Sequence, residues 1–278
     1  MKKFIVSLFT LALFAVNVMA QCEVPGTVTA TVRLVRKPSN LLQGQFSVAA
    51  DRKISFAQGN LQYKASTAGW QFAAHQYDII GSGNENISSS NTGWIDLFGY
   101  GTSGQDISSS GDNMPYKTSG TFQSSDIAGT NYDWGEKNYT EDVEDGYRVL
   151  TADEWTYLMS DRTNATSLRG LAVVDGVKGL LLMPDNWVNP GVTFHAYDAS
   201  YSDTYTADQW TQLQNSGVVF LPAAGSRSGT TVTLTDGVGY YWTGTAGKCL
   251  FFSGSAIQMN YTSMDASSGL SVRLVQTL

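Results

Sequence analysis

The sequence predicts an α+β protein, with most strands late in the chain and two short helices in the middle. Three observations carry this prediction. The motifs TADEW at 151–155 and TADQW at 206–210 place Thr three residues before Glu or Gln, which is the capping-box pattern of a helix start. The pair Asp175-Gly176 separates two apolar runs, as in a tight hairpin. Short runs rich in β-branched and aromatic residues then follow one another from residue 217 onward.

The individual strands are assigned from alternating polarity and from turn residues. Residues 27–35 (TVTATVRLV) alternate polar and apolar, which predicts one exposed strand. Residues 44–63 predict two strands around a polar turn at 50–53. The Asp-Gly hairpin joins LRGLAVV to VKGLLLMP within 168–184. Five further strands are predicted at 217–225, 239–244, 248–254, 256–261 and 270–276.

The segment 82–113 alternates Ser, Gly and Asn runs with aromatic residues. Its apolar members include Trp94, Phe98 and Tyr100, which are too apolar to stay in water at this density. We therefore expect ordered loops that are pinned by buried aromatic side chains.

The amino terminus predicts export from a bacterial cytoplasm. Residues 1–20 contain two lysines, an apolar run and a small-residue cleavage pattern that ends at Ala20, which together indicate a signal peptide. We expect an extension with one strand at 21–42 and the main domain at 43–278. The mature protein would be secreted, periplasmic or attached to the cell surface. A lipid anchor at Cys22 is the less favoured alternative, because Gln21 replaces the small residue that lipoprotein processing prefers before the cysteine. No later run is long enough for a transmembrane segment.

Composition excludes some classes of partner. The chain has 17 basic and 24 acidic residues, and removal of Lys2 and Lys3 with the signal peptide moves the net charge from -7 to -9. Nucleic-acid binding requires clustered basic residues, so we do not expect it. With two cysteines, the protein is not a disulfide scaffold, and pairing of Cys22 with Cys249 stays open.

Signals for catalysis and for metal binding are weak. His75 and His195 lie in no zinc motif, so neither a metal site nor a cofactor is expected. The acidic run Glu141, Asp142, Glu144 and Asp145 could supply calcium ligands, but it lacks the spacing of a calcium loop and is better interpreted as a solvated turn. Aromatic residues in loops are the more unusual feature. Five tryptophans sit beside Gly, Asn or Asp, a setting found in sugar and peptide sites: Trp70, Trp94, Trp134, Trp187 and Trp242.

Several segments resemble a known family. GYRVLTADEWTYLMSDRTNA (146–165), GYYWTGTA (239–246) and GLSVRLV (269–275) resemble formylglycine-generating-enzyme-like domains, also known as sulfatase-modifying-factor-like domains. The ordered set QGNLQY, GWIDLFGYGTSG, LMPDNW, FLPAAGSRSG and SVRLVQ is similar to a group of exported proteins from gut Bacteroidales. The resemblance implies a C-type-lectin-like fold. It also implies loss of oxidase activity, because those enzymes use a cysteine pair and this domain contains Cys249 alone.

The resemblance further implies that a ligand binds between the YWT strand and the final strand, at 246–269. Residues there that offer contacts are Phe251, Phe252, Met259, Asn260, Tyr261 and Met264, although strand periodicity turns alternate members toward the core. We select Trp242, Asn260 and Tyr261 as the contacts, with no catalytic residue. The expected function is adhesin-like recognition of a glycan or a protein at the bacterial surface.

Two alternatives stay open at this point. One is an enzyme, either a degenerate formylglycine-type oxidase or a hydrolase that uses acids such as Asp133 and Glu154. The other is a structural subunit of a surface assembly, in which the strand at 27–35 adds to a neighbour's sheet.

Overall fold

A computed structural model of the chain describes residues 16–22, 28–34, 40–104, 113–136, 146–196, 200–233 and 236–278. Most of the predicted signal peptide and the acidic run at 141–145 lie outside the described residues. The chain divides into two units, Met1–Ser39 and Asn40–Leu278. In the described part of the chain, no helix has the length and apolar character needed to cross a membrane.

The protein is mixed α+β, as predicted, with many short strands and two helices. The strands, in chain order, are β1 Val16–Cys22, β2 Val28–Leu34, β3 Phe46–Ala49, β4 Arg52–Phe56, β5 Leu61–Lys64, β6 Gly69–Phe72, β7 Arg169–Val174, β8 Val177–Leu182, β9 Asp203–Tyr205, β10 Val219–Pro222, β11 Ser226–Ser228, β12 Thr231–Thr233, β13 Gly239–Trp242, β14 Cys249–Ser253, β15 Ala256–Tyr261 and β16 Val275–Thr277. The helices are α1 Ala152–Thr156, which continues into a π-helical turn at Tyr157–Asp161, and α2 Ala207–Asn215.

The amino-terminal unit contains one antiparallel hairpin. Its strands β1 and β2 pair from Val16 opposite Leu34 to Cys22 opposite Val28. β2 lies within the strand predicted at 27–35.

Both predicted capping boxes are present in the second unit. The Thr151 side chain accepts a hydrogen bond from the Glu154 backbone N–H, and the Glu154 carboxylate accepts one from the Thr151 N–H at 3.0 Å. Thr206 and Gln209 make the same exchange at the start of α2. These reciprocal bonds satisfy backbone donors that have no partner inside the helix. The two helix starts are therefore fixed by local sequence.

The second unit contains a four-stranded sheet in the order β10-β8-β7-β9. The predicted Asp-Gly turn joins β7 to β8, with φ of 48° at Asp175 and 82° at Gly176. Positive φ at both positions is the requirement of a type I′ turn, whose twist matches that of the strands. Alternate residues of the sheet enter two different apolar clusters, so the sheet is buried on both faces. This burial explains the unbroken apolar run at 180–183.

Side chains cover the outer edge of β10. The Gln76 amide, which is 1 % exposed, accepts from the Phe220 N–H at 2.8 Å and donates to the Val218 carbonyl at 3.3 Å. Arg273 donates to the Phe220 carbonyl at 2.7 Å. The backbone N–H and carbonyl of Phe220 therefore both have hydrogen-bond partners, although no further strand pairs with this edge.

The carboxyl-terminal segment differs from the prediction of one strand at 270–276. Leu270 bridges to Phe98, Ser271 bridges to Tyr241, and only Val275–Thr277 forms a strand, β16, which pairs with β4. The segment crosses from one sheet to another, so it pairs with a different partner every few residues. Between these pairings it sends the side chain of Arg273, 2 % exposed, into the core.

Arg273 belongs to a buried polar network. Its Nε donates to Asn60 Oδ1 at 3.1 Å, and its two terminal nitrogens donate to the carbonyls of Ala57 and Phe220. Asn60 in turn donates to the Tyr241 hydroxyl at 3.1 Å, which donates to the Pro222 carbonyl at 2.9 Å. Burial lowers the pKa of Arg273 to about 10, so the guanidinium remains charged at neutral pH.

Candidate functional site

The three-stranded sheet β13-β14-β15 has one face that packs into the core and one face that is partly open. Tyr241, Leu250 and Phe252 are buried on the first face. On the other face, Trp242 and Cys249 are buried at one end, whereas Tyr240 and Phe251 are only half-buried. The difference follows from strand alternation, which sends neighbouring residues to opposite faces.

Three half-buried rings form the open part of this face, and we call Tyr240, Phe251 and Tyr261 the aromatic surface. Tyr240 lies opposite Phe251 in the register, with ring centroids 5.2 Å apart. Phe251 stacks on Tyr261 at 4.8 Å with an interplanar angle of 24°. The Tyr240 and Tyr261 centroids are 6.0 Å apart. All three spacings lie in the range of favourable aromatic pairs, so the rings support one another in place.

The position of Tyr261 depends on an irregularity in the sheet. The register between β14 and β15 shifts between Cys249 and Phe251, so that Tyr261 lies opposite Cys249. A bulge of this kind changes the direction of the side chains that follow it.

Burial raises the pKa of the Tyr240 hydroxyl, and the nearby Tyr261 and Cys249 side chains raise it further. The Tyr240 hydroxyl is therefore a neutral hydrogen-bonding group at physiological pH.

An exposed amide lies beside the aromatic surface, because Gln258 is opposite Phe251 in the register. Gln258 and Asn260 are exposed on β15. No residue of β13, β14 or β15 carries a charge. A surface that combines aromatic rings with amides and no charge suits a neutral ligand that has both apolar and hydroxyl or amide groups.

The three contacts selected from the sequence have different positions. Trp242 is 2 % exposed, and its indole N–H donates to the Phe98 carbonyl at 2.7 Å while its ring packs on Tyr100. It is a core residue here and offers no surface to a ligand. Asn260 is exposed and Tyr261 is half-buried within the aromatic surface.

Tyr240 is not among the contacts predicted from the sequence, and the strand pattern left Phe251 and Phe252 as equal candidates. Tyr240 and Phe251 each belong to an aromatic doublet, YY at 240–241 and FF at 251–252. Alternation requires one member of each doublet to face inward, but it does not say which. The inward members are Tyr241 and Phe252, at 1 % and 0 % exposure. If the alternation of faces is counted from a strand residue that is known to be buried, it places Tyr241 and Phe252 inward and Tyr240 and Phe251 outward.

The other tryptophans act in packing. Trp134 is buried, Trp70 packs between Tyr63 and Phe98, and the Trp187 indole donates to Ser216 Oγ at 2.9 Å. Lys64 lies over the Trp94 ring, 4.7 Å from its centroid.

The two carboxylates considered as catalytic acids from the sequence, Asp133 and Glu154, form hydrogen bonds and ion pairs with neighbouring parts of the fold. The two oxygens of the Glu154 carboxylate accept from the Arg148 guanidinium at 2.7 and 2.8 Å, and Arg52 lies 3.2 Å away. The buried Asp133 accepts backbone N–H bonds from Val149 and Gly135. These contacts account for both carboxylates as structural groups.

Cys249 is a free, fully buried thiol. Burial raises its pKa to about 12, so at neutral pH it is protonated and is a poor nucleophile.

The histidines pair with neighbouring acids. Nδ1 of His75 lies 3.3 Å from Asp78, and Nδ1 of His195 lies 2.6 Å from Asp203. Among the residues that the structure describes, no three or more His, Cys, Asp or Glu side chains group in a way that could hold a metal ion.

Comparisons of the chain with protein-family models, with curated proteins and with solved structures found no match.

Proposed function

We propose that the chain is an exported, non-catalytic recognition protein whose C-type-lectin-like domain binds a glycan or a protein at the bacterial surface. The observation that carries the proposal is the aromatic surface with the Gln258 amide beside it on a sheet whose strands carry no charged residue. The fold assignment rests on the sequence resemblance, and export rests on the predicted signal peptide.

The chemistry of the surface favours a saccharide or an uncharged peptide segment. Half-exposed tyrosine and phenylalanine rings offer flat apolar area with little side-chain entropy to lose on binding. The hydroxyls of Tyr240 and Tyr261 and the amide of Gln258 can donate and accept hydrogen bonds around the rings. Asn260 is exposed at the neighbouring position of β15. Such polar groups fix the orientation of a ligand that stacks on the aromatic faces.

An array screen followed by titration tests the proposal. The purified chain is screened on glycan and peptide arrays, and the strongest ligand is titrated by calorimetry. We expect Tyr261→Ala to weaken binding by about tenfold or more, which corresponds to about 1.4 kcal/mol. Asn260→Ala should weaken it less, because an exposed hydrogen bond contributes less than a stacked ring.

Tyr77→Ala is the matched control, because Tyr77 is a half-buried tyrosine that packs on a different apolar cluster. It should leave binding unchanged. The proposal fails if no array ligand binds, or if Tyr261→Ala and Tyr77→Ala bind the ligand equally well.

A further inference from the structure

The aromatic surface carries polar groups that the protein itself does not use. The hydroxyls of Tyr240 and Tyr261 and the amide of Gln258 form no hydrogen bond with another described residue, and all three side chains reach solvent. Tyrosine hydroxyls elsewhere in the fold differ, because those of Tyr205 and Tyr241 donate to backbone carbonyls at 2.7 and 2.9 Å. The three unused groups around the rings are therefore available to a ligand.

The aromatic surface is small in comparison with a protein interface. Its three rings are half-buried. Because an aromatic side chain has an area of about 150 to 250 Å², the three together expose on the order of 200 Å². A stable protein interface needs about 800 Å² on each partner. The ring centroids form a triangle with sides of 4.8, 5.2 and 6.0 Å, which is comparable in width to one pyranose ring. The size of the surface thus favours a single sugar unit.

The nearby strand edge does not favour an extended peptide. β15 is the outer strand of its sheet, and a peptide that adds to such an edge needs a regular row of backbone hydrogen bonds. The two steps from Cys249 to Phe251 lie opposite three steps of β15, from Tyr261 to Gln258, so the extra residue is on β15. A bulge of this kind protects an edge from further pairing. Recognition at this surface therefore depends on side chains.

The charges around the surface favour a neutral saccharide. Between Val238 and Gly269, the charged residues are Lys248 and Asp265, which have opposite signs and lie outside the three strands. The net charge of -7 on the whole chain disfavours carboxylated or sulfated sugars. A neutral pyranose has C–H groups that the negative face of an aromatic ring attracts, and hydroxyls that can bond to the unused polar groups.

We propose that the aromatic surface binds one neutral hexopyranose unit, with the Tyr240 and Tyr261 hydroxyls and the Gln258 amide as its hydrogen-bonding partners. This inference rests on the proposed function and narrows its ligand from a glycan or a protein to a neutral saccharide. One sugar unit has few atoms, so its dissociation constant should be about 0.1 to 10 mM.

Ligand-observed NMR titrations of the full chain measure such weak binding. The neutral probes are methyl β-glucoside, methyl β-galactoside and methyl α-mannoside. Methyl β-glucuronide is the anionic comparison, and an acetylated, amidated tetrapeptide of Ala, Ser and Thr is the peptide comparison. We expect at least one neutral glycoside to bind, and the glucuronide and the peptide to bind about tenfold more weakly or not at all.

Three variants test the site without removing a ring. Tyr240→Phe and Tyr261→Phe each remove one hydroxyl, and Gln258→Ala removes the amide. Each should raise the dissociation constant of the glycoside about threefold to tenfold, because one hydrogen bond is lost. The matched control is Tyr77→Phe, at a half-buried tyrosine on a different apolar cluster, and it should leave binding unchanged. Circular dichroism confirms that every variant is folded.

The inference is overturned if no neutral glycoside binds, if the glucuronide or the peptide binds as tightly, or if the three variants bind the glycoside as the control does. Binding of the peptide alone, weakened by Tyr261→Phe, would reject the saccharide but keep the proposed function. No binding in the titrations and none on the arrays would reject both.

Discussion

Replacing Gln76 with Met removes the side chain that covers the outer edge of β10 while keeping a similar volume. The change leaves the Phe220 N–H and the Val218 carbonyl without their partner in a buried position. Each unsatisfied buried backbone group costs about 1 to 3 kcal/mol, and the 3.3 Å bond to the Val218 carbonyl is the weaker of the two. We therefore expect a loss of about 2 to 4 kcal/mol in the free energy of unfolding. For a unit of this size, the melting temperature should fall by about 5 to 15 °C.

The matched control is Gln214→Met, because Gln214 is exposed and shares only a 3.4 Å bond with Gln76. Its unfolding free energy should change by no more than about 0.5 kcal/mol. Urea denaturation followed by tryptophan fluorescence measures both variants. If Gln76→Met unfolds at the same urea concentration as Gln214→Met, the amide does not stabilise the edge and the reasoning is wrong.

Three further predictions concern the core. Tyr241→Phe removes the hydrogen-bond partner of the Pro222 carbonyl and of Asn60 Nδ2, so urea denaturation should show a loss of about 1 to 3 kcal/mol in the free energy of unfolding; an unchanged midpoint contradicts this. Burial raises the pKa of Asp96 to about 6 from 3.8, so the folded state holds its proton more tightly than the unfolded state does. Stability should therefore fall by about 3 kcal/mol as pH rises from about 4 to above 6, and Asp96→Asn should remove that part of the slope. Cys249 should resist iodoacetamide at pH 8 in the folded protein and react once guanidinium unfolds it, as peptide mass spectrometry can follow; rapid labelling of the native thiol would refute its burial.

Features encoded by neighbouring residues were predictable from the sequence. The capping boxes at Thr151 and Thr206 and the turn at Asp175-Gly176 each depend on residues within three positions of one another. The chemistry of such a pattern needs no knowledge of the rest of the chain. These elements appear where the sequence indicated them.

Features that depend on distant partners could not be predicted. Gln76 lies 144 positions from Phe220, and nothing near residue 76 indicates that its amide will cover a strand edge. The break in the strand at 270–276 has the same cause, because the segment exchanges partners between Phe98, Tyr241 and β4. The candidate site was predicted in part, since the interval 246–269 contains Phe251 and Tyr261 whereas Tyr240 lies before it.

The network around Arg273 has a consequence for how the chain is made. Synthesis proceeds from the amino terminus, so the carbonyls of Ala57 and Phe220 are made before the Arg273 guanidinium that donates to them. Contacts across 216 and 53 positions close late, because the ends of long loops must first be brought together. We expect the packing around Ala57 and Phe220 to stay incomplete until Arg273 has been synthesised. A nascent chain that ends before Arg273 should remain sensitive to protease, whereas a chain that includes Arg273 and β16 becomes resistant.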